Sequence, residues 1–121
     1  MYKYSVSNVA PIVSKHGEII YELVGPNLGD TTQRHSVAHV VIPPGKSSLL
    51  HYHPDAEESY YVLKGNAQIV LGDEQETITA GETILIPSPK PHKIINTGKE
   101  DLEFIAVCVP AWEPTNSVFL E

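Results

Sequence analysis

Short apolar runs separated by turn residues recur along the whole chain. Turn residues such as Pro43-Pro44-Gly45 and Gly72-Asp73 bound these runs. Short strands at spacings near ten residues are typical of an all-β sandwich or small barrel. No stretch keeps the 3.6-residue period of an amphipathic helix. The predicted strands are 18–24, 35–42, 48–53, 59–63, 67–71, 75–79, 83–86, 92–96 and 102–109.

Composition supports the β assignment. Val, Ile and Thr number 12, 11 and 7 among 121 residues, and β-branched side chains fit pleated, half-buried strands. The 10 prolines fall mainly between the apolar runs, where turns are expected. A chain of this length is one domain by the usual prior, so we expect a single domain over residues 1–121.

Charge and cysteine content narrow the partners and the compartment. Lys and Arg total 8 against 15 Asp and Glu, for a net charge of −7 with neutral histidines. This balance disfavours nucleic acid and anionic membranes as partners. Arg34 is the only arginine, which argues against a highly anionic substrate, although lysines could still serve. There is no apolar run of membrane-spanning length and Cys108 is the only cysteine, so we expect a cytoplasmic protein.

Histidines are the most informative residues. His51 and His53 lie two positions apart in a predicted strand, so both side chains point to the same face. Such a pair can converge on a metal ion, or it can be two buried histidines satisfied by hydrogen bonds. Glu58 follows the turn after His53 and can fold back toward the pair, and His92 opens a later strand. Three imidazoles and one carboxylate suit a divalent ion such as Fe, Mn, Ni, Co or Zn.

The spacing of these residues resembles the cupin family. The pattern Gly45-x5-His51-x-His53-x4-Glu58-x6-Gly65 is similar to the first cupin signature. The second signature is similar to Gly81-x5-Pro87-x-Pro89-x2-His92-x3-Asn96. Together the two cover residues 45–96. The resemblance implies a double-stranded β-helix, a small jelly-roll barrel, with one metal held by the residues matching His51, His53, Glu58 and His92.

Two positions depart from a simple match. Pro89 stands where the second signature normally has Gly, and because proline fixes φ near −65° the turn must take another shape. Glu57 competes with Glu58 as the carboxylate ligand, since the first signature tolerates three or four intervening residues. We prefer Glu58, which gives the correct six-residue step to Gly65.

Further residues have open roles. Tyr60 shares phase with Glu58, so we expect it inside the barrel, either as a catalytic or hydrogen-bonding group or as a core aromatic. His39 either lines the cavity or is a buried, hydrogen-bonded residue. We expect Asn96 to be structural. Trp112 and Phe119 follow the last predicted strand and pack over the barrel or onto a partner subunit.

The sequence indicates a class of function and not one particular reaction. We expect a small metal-dependent enzyme of dioxygenase, decarboxylase, lyase or sugar-isomerase type, acting on a compact organic molecule. The alternative is a non-catalytic module that binds a sugar or another small effector, and the weakest reading is a dimer whose metal only stabilises the fold. Apolar residues in region 1–34 lie outside the signature barrel, and exposed apolar surface often marks an interface. We therefore expect this region to form dimerisation strands and the protein to be a homodimer.

Overall fold

The computed structural model describes residues 1–29 and 31–121, and these form eleven β-strands and one 3₁₀ turn. The 3₁₀ turn spans Pro114–Asn116. The strands are β1 Ile12–Val13, β2 Ile19–Val24, β3 Ser36–Ile42, β4 His51–Tyr52, β5 Glu57–Lys64, β6 Asn66–Leu71, β7 Glu74–Thr79, β8 Thr83–Ile86, β9 His92–Asn96, β10 Leu102–Val109 and β11 Val118–Phe119. In the described part of the chain, no helix has the length and hydrophobicity that a membrane span requires.

The strands form two antiparallel sheets that face each other. One has six strands in the order β1-β2-β3-β10-β5-β8, and the other has five in the order β11-β4-β9-β6-β7. Strands that are neighbours in each sheet are mostly distant in sequence, as in a jelly roll. The predicted all-β jelly-roll class is confirmed.

Alternation of side chains along the strands places the core between the sheets. In β10, every second residue from Leu102 to Cys108 is buried, whereas the residues between them are only partly buried. Phe104 is fully buried and belongs to one apolar cluster that contains side chains from both sheets. This period of two is what a strand with one face on a core requires.

The observed strands follow the predicted ones closely, with differences near the site. The predicted strand 48–53 is shortened to β4, His51–Tyr52. Two short strands escaped prediction. One of them, β11, exists because Val118 and Phe119 pair with Tyr52 and His51, a contact that local sequence pattern does not encode.

Turn chemistry fixes two loops of the barrel. Gly65 has φ +92°, and a Cβ there would lie 2.9 Å from the Asp101 carbonyl oxygen, so this position favours glycine. At the turn altered by Pro89, the peptide bond preceding that proline is cis. The Ser88 hydroxyl donates to the carbonyl oxygens of His53 and Pro54 at 2.8 and 2.6 Å. The altered turn is therefore tied to the loop that carries His53.

Candidate metal centre

Both sheets contribute to one cluster of potential metal ligands. His51 on β4 and His92 on β9 are cross-strand partners in the five-stranded sheet, and His53 follows β4 directly. Glu58 lies on β5 of the facing six-stranded sheet. One ligand atom from each of the four residues lies within 4.8 Å of all the others.

Backbone carbonyls orient the three imidazoles. The Nδ1 atom of His51 lies 2.7 Å from the Leu49 carbonyl oxygen, and that of His92 lies 3.0 Å from the Lys90 carbonyl oxygen. The Nδ1 atom of His53 is 3.3 Å from the Asn116 carbonyl oxygen. Because a carbonyl oxygen only accepts, each Nδ1 carries the proton and each neutral ring keeps a lone pair on Nε2.

Those lone pairs meet a carboxylate. The Nε2 atoms of His53 and His92 lie 3.4 and 3.1 Å from the same oxygen, Oε1 of Glu58. Lone pairs facing an anion at these distances repel unless a proton or a metal ion sits between them. His53 is 2% exposed, and its Nε2 has no hydrogen-bond partner among the described residues. Buried polar atoms without a partner are rare, so the cluster fits a bound cation.

Electrostatics favour the metal-binding forms of His51 and Glu58. Burial, and then the His92 ring, lowers the pKa of His51 to about 4, which keeps this imidazole neutral. Burial opposes ionisation of Glu58, but the adjoining His53 and His92 side chains outweigh it and lower its pKa to about 2. Burial lowers the pKa of His53, but the Glu58 carboxylate raises it overall, so a proton competes with a metal ion at this imidazole. Metal binding requires neutral imidazoles and an ionised carboxylate.

The donor set therefore fits a divalent ion. Ligand atoms about 2.1 Å from an ion would be about 4.2 Å apart when opposite each other, close to the observed maximum of 4.8 Å. Between the two candidate glutamates, the structure brings Glu58 into the cluster and leaves Glu57 exposed on the other face of β5. The site could hold one divalent metal ion.

A cavity of about 310 Å³ adjoins the cluster. His51 and Glu58 are part of its wall. Most of the remaining wall is apolar, with side chains such as Ile20, Val40, Leu49, Phe104 and Trp112. A metal ion at the cluster would thus face a space large enough for a compact organic molecule.

Sequence reasoning missed two acidic residues of the cavity wall. Glu18 and Glu22 both line the cavity, together with Ile20 between them. Burial, and then the charge of Glu58, raises the pKa of Glu18 to about 7. Burial also raises the pKa of Glu22, and the Asn27 side chain opposes this only in part. The available signal was their even spacing in predicted strand 18–24, which puts them on one face.

The structure shows where Tyr60 and His39 lie relative to the cavity. Tyr60 is 3% exposed and lines the cavity, which confirms its inward orientation. Its ring centroid lies 6.1 Å from that of His92 and 4.6 Å from that of Phe104. His39 is not part of the cavity wall, and its Nε2 lies 2.9 Å from Oε1 of Glu103.

Contacts in the structure also show the surroundings of Asn96, Trp112 and Phe119. Asn96 donates from Nδ2 to the carbonyl oxygens of Ile42 and Glu100, both at 2.8 Å, so its role is structural, as expected. Trp112 and Phe119 both contribute to the cavity wall, and Phe119 is still 49% exposed.

Comparison with known proteins identifies the class. The cupin domain family model matches residues 38–108, which is more than half of the chain. The chain belongs to the cupin family, and the predicted resemblance is confirmed.

The chain is similar to curated proteins that carry different names. An uncharacterized protein of Methanocaldococcus jannaschii is 34% identical over 119 residues, covering 98% of this chain and 94% of the relative. The oxalate-binding protein of Thermotoga maritima is 39% identical over 72 residues, which is 60% of each protein.

Solved structures agree with this assignment. A predicted oxalate decarboxylase from Thermotoga maritima superimposes with a TM-score of 0.76 at 30% identity, covering 91% of this chain and 99% of that one. The oxalate decarboxylase of Lactobacillus farciminis, solved as a formate complex, gives a TM-score of 0.83 at 25% identity. The match covers 97% of this chain but only 35% of the Lactobacillus protein.

Proposed function

We propose that this cupin is a metal-dependent enzyme acting on a compact organic molecule. The observation that carries the proposal is the cavity of about 310 Å³ that opens onto the ligand cluster at His51 and Glu58. A purely structural metal site is normally closed by protein ligands, whereas catalytic sites keep open positions. Here the open side of the cluster is a cavity and not packed protein.

His51, His53, Glu58 and His92 are the proposed ligands of one divalent ion, which is Fe, Mn, Ni, Co or Zn. Bound there, the ion would supply Lewis-acid or redox chemistry to a molecule in the cavity. The chain itself contributes rigid β-strand anchors for the ligands and an apolar wall that limits access of water. The reaction class is one of the four expected for small cupins: dioxygenase, decarboxylase, lyase or sugar isomerase.

Tyr60 is the proposed catalytic side chain of the cavity. Burial, and then the charge of Glu58, raises its pKa well above the ordinary value. The hydroxyl therefore stays protonated, and it serves as a hydrogen-bond or proton donor and not as a base. Tyr60→Phe should lower kcat with little change in bound metal, whereas an unchanged kcat would leave Tyr60 as a core aromatic.

The second candidate is a non-catalytic module that binds a small molecule at the same metal. A specific observation favours keeping it: one relative is named an oxalate-binding protein. The names of the relatives also make oxalate the first compound to test, both for binding and for turnover.

Open coordination can be tested directly. The chain is purified without a His-tag, loaded with Mn²⁺, and the relaxation of water protons is measured. Enhanced relaxation that exceeds that of a Glu58→Gln control would show water on a protein-bound ion facing the cavity. Bound Mn²⁺ with no exchangeable water would contradict the proposal and indicate a closed, structural site.

Assembly and location complete the proposal. We propose that residues 1–121 act as one domain and that two chains form a homodimer through region 1–34. In support, β1 is an edge strand with unpaired backbone groups on one side, and Val13 and Tyr2 are 63% and 74% exposed. The free, buried thiol of Cys108 suits a reducing compartment such as the cytoplasm.

A further inference from the structure

A distant part of the chain orients the His53 imidazole. The Nδ1 atoms of His51 and His92 each face a carbonyl oxygen two residues earlier in the sequence, so local backbone geometry fixes these two rings. The Nδ1 atom of His53 lies instead 3.3 Å from the Asn116 carbonyl oxygen and 3.2 Å from the Ser117 hydroxyl oxygen. The orientation of His53 therefore depends on how residues 116 and 117 are held.

Both of these partners accept hydrogen bonds at Nδ1. The Ser117 hydroxyl donates its single hydrogen to the Glu113 carbonyl oxygen at 3.2 Å, so toward His53 its oxygen can only accept. The Asn116 carbonyl oxygen also only accepts. Two acceptors hold the imidazole proton on Nδ1 and leave the Nε2 lone pair facing the other ligands of the cluster.

The side chain of Asn116 closes the 3₁₀ turn that presents its carbonyl group. Its Nδ2 atom donates to the Ala111 carbonyl oxygen at 2.9 Å, and its Oδ1 atom accepts from the Glu113 amide at 3.1 Å. The backbone adds one hydrogen bond, from the Asn116 amide to the Glu113 carbonyl oxygen at 3.1 Å. The Asn116 side chain thus supplies two of the three hydrogen bonds that shape this turn.

The residues after the turn tie it to the strand that leads to His53. β11 pairs with β4, and the Leu120 amide donates to the Leu50 carbonyl oxygen at 2.8 Å. The Glu121 carboxylate accepts from the Leu50 amide at 2.7 Å. These bonds hold the turn against β4, so its two acceptors keep a fixed distance from the His53 ring.

We propose that Asn116 and Ser117 are positioning residues of the metal site. They act through His53, which they hold in the orientation and tautomer that binding of the ion requires. Removing such partners of a metal ligand typically lowers metal affinity by roughly ten- to a hundredfold. The inference rests on the proposed function, and it gives a role in metal binding to residues beyond the range 38–108 that the cupin domain model matches.

Four variants test the inference. Ser117→Ala removes one acceptor at Nδ1, whereas Ser117→Thr keeps the hydroxyl at an extended backbone position (φ −122°, ψ 131°) that suits a β-branched residue. Asn116→Ala removes the two side-chain bonds of the turn. Thr115→Ala changes an exposed residue of the same turn and is the matched control. The Mn²⁺ dissociation constant is measured for each variant, together with the Tm of the chelated protein.

The expected losses follow from the number of bonds removed. Asn116→Ala should weaken Mn²⁺ binding by roughly tenfold or more, and Ser117→Ala by several-fold. Ser117→Thr should restore the affinity of the wild type, and Thr115→Ala should leave it unchanged. The Tm of chelated Ser117→Ala should match that of chelated Ser117→Thr, because the loss concerns His53 and not the stability of the barrel.

Each outcome has a distinct meaning. Wild-type protein that binds no Mn²⁺ would refute the proposed function itself. Wild-type affinity in Ser117→Ala, or in folded Asn116→Ala, would overturn this inference and leave the metal site standing. Ser117→Thr binding as weakly as Ser117→Ala, or an equal loss in Thr115→Ala, would also overturn it, since the cause would then be general damage to the turn. If Asn116→Ala does not fold, the two Ser117 variants decide the question.

Discussion

Replacing Glu18 with glutamine should change how the stability of the metal-free protein depends on pH. The folded environment raises the pKa of Glu18 from 4.5 to about 7, so the folded state holds this proton more tightly than the unfolded state does. The stabilisation that Glu18 contributes to the folded state is fully present below pH 4.5 and is lost as the pH rises through 7. A glutamine is neutral throughout, and the variant therefore avoids this loss.

The expected size follows from the pKa shift. The shift from 4.5 to about 7 corresponds to a ceiling of about 3 kcal/mol. Because Glu18 is only partly buried, solvent screening reduces this value to about 2 kcal/mol. The difference in free energy of unfolding between Glu18→Gln and wild type should thus shift in favour of the variant by about 2 kcal/mol from pH 5 to pH 8.

Urea denaturation in the presence of a chelator provides the assay. Unfolding curves of wild type and Glu18→Gln are compared at pH 5 and pH 8. Glu76→Gln, whose side chain is exposed, serves as control and should show no such pH-dependent gain. An equal free-energy difference between wild type and Glu18→Gln at both pH values would refute the reasoning, because Glu18 would then titrate alike in the folded and unfolded states.

Three other predictions concern the metal and the assembly. Metal at 100 times its dissociation constant should add about 2.7 kcal/mol, or roughly 10 °C in Tm, while the chelated protein keeps its β signal in circular dichroism; loss of that signal would mean a structural metal. Bound metal should be released between about pH 4 and 6, because protons compete at three imidazoles, and full occupancy after dialysis at pH 3.5 would be inconsistent with the three-histidine site. Light scattering at tens of micromolar should give twice the chain mass, and a value near 13.3 kDa would disprove the dimer.

Most of the cluster of candidate ligands could be predicted from the sequence because its spacing is local. His51 and His53 are two residues apart, and a short turn separates them from Glu58. The choice of Glu58 over Glu57 also follows from strand alternation, since only one of two consecutive residues can face the core. The remaining candidate ligand, His92, was placed by the family resemblance, and the structure shows that it pairs across the strands with His51.

The two acidic residues of the cavity wall could not be predicted in the same way. Even spacing puts Glu18 and Glu22 on one face of a strand, but it does not say whether that face meets solvent or the cavity. Only the pairing of β2 with β3 turns this face inward. Likewise, β11 depends on pairing with β4, which is more than 60 residues away in the chain.

Metal stoichiometry tests the central claim most directly. Untagged protein is reconstituted in turn with Fe, Mn, Co, Ni and Zn, dialysed, and analysed for metal by mass spectrometry. The account predicts about one equivalent per chain for at least one of these ions, a sharp loss in His51→Ala and His92→Ala, and no loss in Glu57→Gln. Less than about a tenth of an equivalent with every ion would contradict it.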